Sequence, residues 1–215
     1  MPDIISVFIL VCCSCLLVLY KKTKSYISFK GLGLAFLFLL SLFLTFLSSS
    51  RQELGFNLDN LSKGFLPITI FVFFTASILF SMRHKSKKFK VLPWLLSLFT
   101  FYLLFGVIQQ TFFLAIFTHT LNRVLEDKTL VIIFSSVFFS TFHWSWSPYG
   151  IKFGMLTLLA GVVNSLLYLS GTSIIILGFG HALIASLYYF IIYENNILEK
   201  RLSLKKIGLA KLIHH

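Results

Sequence analysis

The side chains that could do chemistry in this sequence are Gln109, Gln110, His143 and His181. Each lies in a long run without Asp, Glu, Lys or Arg: 91–122 around the glutamines, 129–151 around His143 and 153–193 around His181. An imidazole with an ordinary pKa of about 6.5 takes or gives a proton near neutrality. A Gln amide donates and accepts hydrogen bonds but does not titrate. Two histidines and two amides could therefore orient a water or hold developing negative charge. Singly, each has a plainer use. The Gln pair could be hydrogen-bond glue between helices, worth about 0.6–2 kcal/mol in a membrane. His143, beside Trp144 and Trp146, could sit in an interfacial aromatic belt. His181, after Gly178-Phe179-Gly180, could mark a close packing site. Three separate apolar runs that each carry such groups favour one shared polar cavity.

The elements that must position these residues follow from composition. Of 215 residues, 57% are apolar and only 12% charged, with 26 Phe; the mean hydropathy is +0.89. Soluble domains carry about 25% charged residues, so a soluble enzyme, a disordered chain and a coiled coil are excluded. The expected fold is an all-α, polytopic integral membrane helix bundle. Runs free of Asp, Glu, Lys and Arg cover 4–20, 31–50, 64–82, 91–122, 129–151 and 153–193. A crossing helix needs roughly 20 apolar residues, so the first five runs hold one helix each. The last is divided near Ser170-Gly171-Thr172 and holds two. Seven transmembrane helices are predicted, over about 3–20, 29–48, 64–82, 92–117, 129–146, 153–169 and 173–193. Strands are excluded because the runs lack period-two alternation.

The net charge of +12 is spread in short basic runs between apolar stretches, unlike the single basic face of a nucleic-acid binder. With the N-terminus outside, fifteen of the 19 Lys and Arg fall inside, in 21–30, 83–91, at Lys152 and in the tail. Arg51, Lys63, Arg123 and Lys128 fall outside. The positive-inside rule thus predicts an N-out, C-in protein of the plasma membrane. The first run lacks the basic start of a signal peptide and is followed by Lys21, Lys22 and Lys24. Cys12, Cys13 and Cys15 lie within it and have neither disulfide nor metal spacing. The expected organisation is N-terminal helices and basic loops over 1–90, a core over 91–193, and a basic tail over 194–215. The tail is either an amphipathic surface helix or a frayed end. The bilayer is the one partner that composition alone implies; nucleic acid is not expected, and oligomeric state is open.

The core resembles the CPBP family, the CAAX-protease and bacteriocin-processing intramembrane endopeptidases also called the abortive-infection family. That family carries a Glu-Glu pair followed by Arg, then Phe-x-x-x-His, then a late His-x-x-x-Asn. Phe139-Ser140-Thr141-Phe142-His143 fits the second motif, and His181 occupies the late histidine after Gly161, Tyr168 and Ser170-Gly171-Thr172. Glu53-Leu54-Gly55-Phe56 resembles the family's early Leu-Gly element. Gln109-Gln110 stands where the family has Glu-Glu, Leu114 where the Arg would follow, and Ala185 where Asn would stand. The resemblance covers about residues 100–190. It implies hydrolysis of peptide bonds in membrane-associated, prenylated or leader peptides, with Gln109, Gln110, His143 and His181 as the site.

Gln does not serve as a general base, and losing one typically costs about 10²–10⁴ in rate. Of the seven carboxylates, Glu53, Asp59, Glu126, Asp127, Glu194 and Glu199 lie outside the expected spans and Asp3 at the outer end of the first, so none lies within the apolar part of a span. Glu126-Asp127 would reach the site only if their loop folded inward. An active protein would therefore use His143 or His181 as the base. Zinc held by His143, His181 and an amide is a minor alternative, since zinc sites usually offer three strong ligands. The serious rival is a catalytically silent binding or immunity protein; a small transporter is a further alternative, disfavoured by the lack of an intramembrane acid or base carrier.

The orientation is checked by single-cysteine labelling on a cysteine-free background. A cysteine at Ser86 should react only from the cytoplasmic side; labelling only from outside would reverse the topology.

Overall fold

The computed structural model describes residues 4–22, 29–58, 60–82, 92–144, 150–189 and 191. Among these residues the regular structure is entirely helical. Helix α1 is Ile4–Lys22, α2 is Phe29–Ser48 and α3 is Leu61–Met82. Helix α4 is unbroken over 92–124. It consists of Leu92–Gln110, a π-helical stretch Thr111–Thr118 and a last α-helical piece, His119–Val124. Helix α5 is Lys128–Trp144, α6 is Gly150–Leu169 and α7 is Ile174–Tyr188. These seven helices fall on the seven apolar stretches. Two segments, Leu61–Ser81 and Phe99–Val124, are long and apolar enough to cross a membrane. Helix α4 runs past the end expected near 117, because its last turn is tied down by contacts described below. The basic run 83–91 and the tail from Glu194 lie outside the described residues.

The chain groups into two compact units. The first comprises Met1–Gly64 and Ile108–Leu177, the second Phe65–Val107 and Gly178–His215.

In the first unit, Ile9, Cys13 and Leu16 of α1 pack with Phe112, Phe113, Ile116 and Phe117 of α4 and with Phe138 and Phe139 of α5. Cys12 and Cys13 are buried, Cys15 is exposed, and all three are free thiols. Helices α5 and α6 approach closely at Gly161, where a Cβ would lie 2.8 Å from Ser136 Cα. Small residues let helix backbones meet in this way when burial of apolar area alone does not hold them together. Polar bonds join the same pair of helices: Ser140 Oγ donates to the Gly154 carbonyl at 2.9 Å, and Thr157 Oγ1 donates to Ser140 Oγ at 3.3 Å.

The turn from α6 to α7 is a Schellman motif. Thr172 N donates to the Leu167 carbonyl at 3.0 Å and Gly171 N to Tyr168 at 2.9 Å, with Gly171 at φ +89. Only glycine takes that conformation without a Cβ penalty. The segment after α2 docks on this turn. Ile174 N donates to the Gly55 carbonyl at 3.0 Å, and Tyr168 Oη donates to the Glu53 carbonyl at 3.3 Å.

In the second unit, Tyr102 of α4 stacks on Tyr189 with centroids 5.1 Å apart. Ala182 is buried with Tyr102, and Phe99, Ala185 and Tyr189 pack around them. Ile68 of α3 lies against Gly180 of α7.

Each unit has an apolar exterior. In the first, Phe36, Leu39, Phe43 and Leu47 form an exposed stripe at helical spacing along α2. In the second, Phe65, Leu66, Ile70 and Phe73 do the same on α3, and Phe73 is 70% exposed. Contiguous apolar surface of this kind marks an interaction or membrane surface.

Gly161→Val should force α5 and α6 apart at Ser136. Overpacking typically costs about 1–3 kcal/mol, so the purified protein should unfold several degrees earlier. An unchanged midpoint in detergent would show that the approach at Gly161 is dispensable.

Candidate functional site

The first and second motif positions meet. Gln109 Nε2 lies 2.8 Å from His143 Nε2, joining α4 to the last turn of α5. The other ring nitrogen, Nδ1, lies 2.7 Å from the Phe139 carbonyl. A carbonyl only accepts, so Nδ1 carries the proton. In the neutral ring Nε2 then accepts from the Gln109 amide. The carbonyl thereby fixes the tautomer and orientation of the ring, the usual role of a partner on the second nitrogen. The ring is packed between Phe139, with centroids 4.3 Å apart, and Phe113, at 5.9 Å.

The π-helical stretch builds this environment. In an α-helix consecutive side chains point about 100° apart. The wider π turn reduces that angle. Phe112 and Phe113 both reach Phe138, at 6.0 and 5.8 Å, and both reach Phe142, at 5.6 and 5.2 Å. Phe117 stacks on Phe138 at 3.8 Å. Thr118 Oγ1 donates to the Phe113 carbonyl five residues back, at 2.8 Å. All eight residues of the stretch are buried.

Gln110 is placed differently from Gln109. Its side chain is fully buried, and neither amide atom has a hydrogen-bond partner. A buried polar group left unpaired costs about 1–3 kcal/mol. Leu114, at the position of the family's Arg, is buried inside the π-helical stretch. His181 belongs to the second unit, partly buried between Gly180 and Ala182 on α7. Ala185, at the Asn position, packs with Tyr102 and Ala182 as an apolar contact. Gln109, Gln110 and His143 thus share one unit, and His181 lies in the other.

The loop carboxylates have structural work. Asp127 Oδ1 accepts from Thr129 N at 2.7 Å and Leu130 N at 3.4 Å, which caps the start of α5. His143 is sixteen residues further on, roughly 24 Å at the α-helical rise, so Asp127 does not reach it. Ser50 N donates to Glu53 Oε2 at 2.7 Å, and Glu53 N donates to Ser50 Oγ at 3.3 Å. These bonds, the one from the Ser50 backbone foremost, hold the Glu53 carboxyl below the usual carboxylate range. The contribution of this turn is present above the ordinary carboxylate pKa and is lost as pH falls through the lowered one.

Sequence reasoning missed one cluster. His119 Nε2 lies 2.9 Å from Ser49 Oγ, and Arg123 Nη1 donates to the Ser48 carbonyl at 3.1 Å and to Ser49 Oγ at 3.2 Å. These bonds tie the end of α4 to the C-terminus of α2, where helix carbonyls lack internal partners. The signal was the four-residue spacing of His119 and Arg123, which puts both on one helix face. Among the described residues no three His, Cys, Asp or Glu side chains come together as a metal site.

Compared with known proteins, the chain matches no family model, no curated protein and no solved structure significantly.

His143→Phe fits the aromatic slot but leaves the Gln109 amide and the Phe139 carbonyl without their ring partner. The expected cost is about 1–3 kcal/mol, read as a lowered unfolding midpoint. A variant as stable as wild type would mean that this bond contributes nothing.

Proposed function

We propose that this chain is a plasma-membrane protein with seven spans, N-out and C-in, and a relative of the CPBP endopeptidases. It engages a peptide segment of a membrane-associated protein at Gln109 and His143. The observation that carries this is the 2.8 Å bond between those two side chains, which couples two motif positions thirty-four residues apart within apolar helices. The exposed Phe and Leu stripes of both units support the membrane setting. The motif order over 100–190 supports the kinship.

The chemistry favours holding a peptide over cutting it. Both family carboxylates are amides here, and an amide takes no proton from water. The basic nitrogen of His143 is already engaged by Gln109. Slow hydrolysis with His143 as the base is the second possibility, favoured by the Phe139 carbonyl that orients the ring.

The experiment is reconstitution of the full chain in liposomes with photoreactive prenylated and leader peptides. Cross-linking without turnover is expected in wild type, reduced about tenfold in His143→Ala. Turnover that His143→Ala abolishes would establish the hydrolytic version. Neither cross-linking nor turnover would remove the peptide-site proposal.

A further inference from the structure

Helix α4 carries two adjacent glutamines followed at once by the π-helical stretch. Gln109 meets His143, while Gln110 is fully buried with both amide atoms unpartnered. A second doublet, Phe112-Phe113, follows three residues after the first, and both of its rings touch Phe138 and Phe142.

A π-helical stretch accommodates roughly one residue more than α-helical turns over the same path. The position of that extra residue sets the register of everything beside it. In this structure it lies on the C-terminal side of the glutamine pair. Moving it to the N-terminal side would carry the pair one residue along α4, a turn of about 100° and a rise of about 1.5 Å. Gln110 would then stand where Gln109 stands, and Phe113 where Phe112 stands. The place that bonds His143 thus keeps an amide and the place of Phe112 keeps a phenyl ring, while Thr111 and Leu114 take the places of Gln110 and Phe113.

We propose that α4 has two registers, exchanged when the wide turn passes the glutamine pair, and that Gln109 and Gln110 serve His143 in alternation. The fixed end of the movement is the last turn of α4, held by His119 and Arg123 to Ser49 and Ser48. The bond from Thr118 Oγ1 to the Phe113 carbonyl secures the register of this structure. The second register gives the stranded Gln110 amide its partner, which accounts for a buried amide that otherwise only destabilises the fold. The inference concerns the helix alone and is independent of whether a peptide binds.

The test follows the ¹⁵N signal of His143 Nε2 in the full chain in nanodiscs, assigned by its loss in His143→Asn. Gln109→Leu, Gln110→Leu and the double variant are compared. Two registers require each single variant to keep the amide-bonded signal and only the double variant to lose it. The folded-to-unfolded ratio should fall at least about tenfold more in the double variant than the two single effects multiplied together. Loss of the signal in Gln109→Leu to the extent seen in the double variant would overturn the proposal. Gln109→Ala is the second variant, free of the bulk of leucine. Failure of both Gln109 variants to fold while Gln110→Leu folds would overturn it equally, since Gln110 would then be unable to substitute.

Discussion

Two consecutive phenylalanines, Phe112 and Phe113, both reach α5 from the wide turns of Thr111–Thr118, whose smaller angle between neighbours brings the two rings closer to one face. Much of the first unit depends on this contact. The wide turns bring Phe112, Phe113 and Phe117 into one aromatic block with Phe138, Phe139 and Phe142. Just before the stretch, Gln109 meets His143 and Gln110 is left without a partner. Packing and polar chemistry thus adjoin at this place. A π-helical stretch is rare, and such stretches recur at functional sites because they re-aim side chains that regular turns would hide.

Around this block the polar groups are mostly satisfied locally. Ser14, Ser41, Thr45, Thr69 and Ser77 each donate to a carbonyl four residues back along their own helix. That habit suits a setting where water is not at hand to pair them. Bonds between helices are fewer and sit at particular joints: Ser140 with Gly154 and with Thr157, His119 with Ser49, and Gln109 with His143. Each of these joins two different helices or their ends, and so fixes how the helices of the first unit sit together.

Much of this was legible beforehand. Gaps between ionisable residues located the seven helices, because a charge inside a long apolar run is expensive enough to be avoided. The Ser170-Gly171-Thr172 break was readable because Gly171 supplies the left-handed residue that ends a helix. Polar groups stranded in apolar runs suggested one cavity for Gln109, Gln110, His143 and His181; of these, Gln109 and His143 bond to each other, while Gln110 has no partner and His181 belongs to the other unit. The π-helical stretch was not legible: Thr111–Thr118 contains no Gly or Pro, and its phenylalanines pack against another helix distant in sequence. His119 and Arg123 were passed over because Arg123 had been counted only as a charge for topology. Gln110 differs from Gln109 solely through the angle between neighbouring residues, and no composition records that.

That Gln109 carries an amide and not a carboxylate has an electrical consequence. A neutral imidazole bonded to an amide carries no net charge, whereas a carboxylate in the same position would be an ion within the bilayer proposed here. Moving one elementary charge through a potential of 100 mV involves about 2.3 kcal/mol. In that proposed setting, forming and parting the neutral Gln109–His143 pair would carry no net charge through a membrane potential, and its equilibrium would rest on hydrogen bonding and packing.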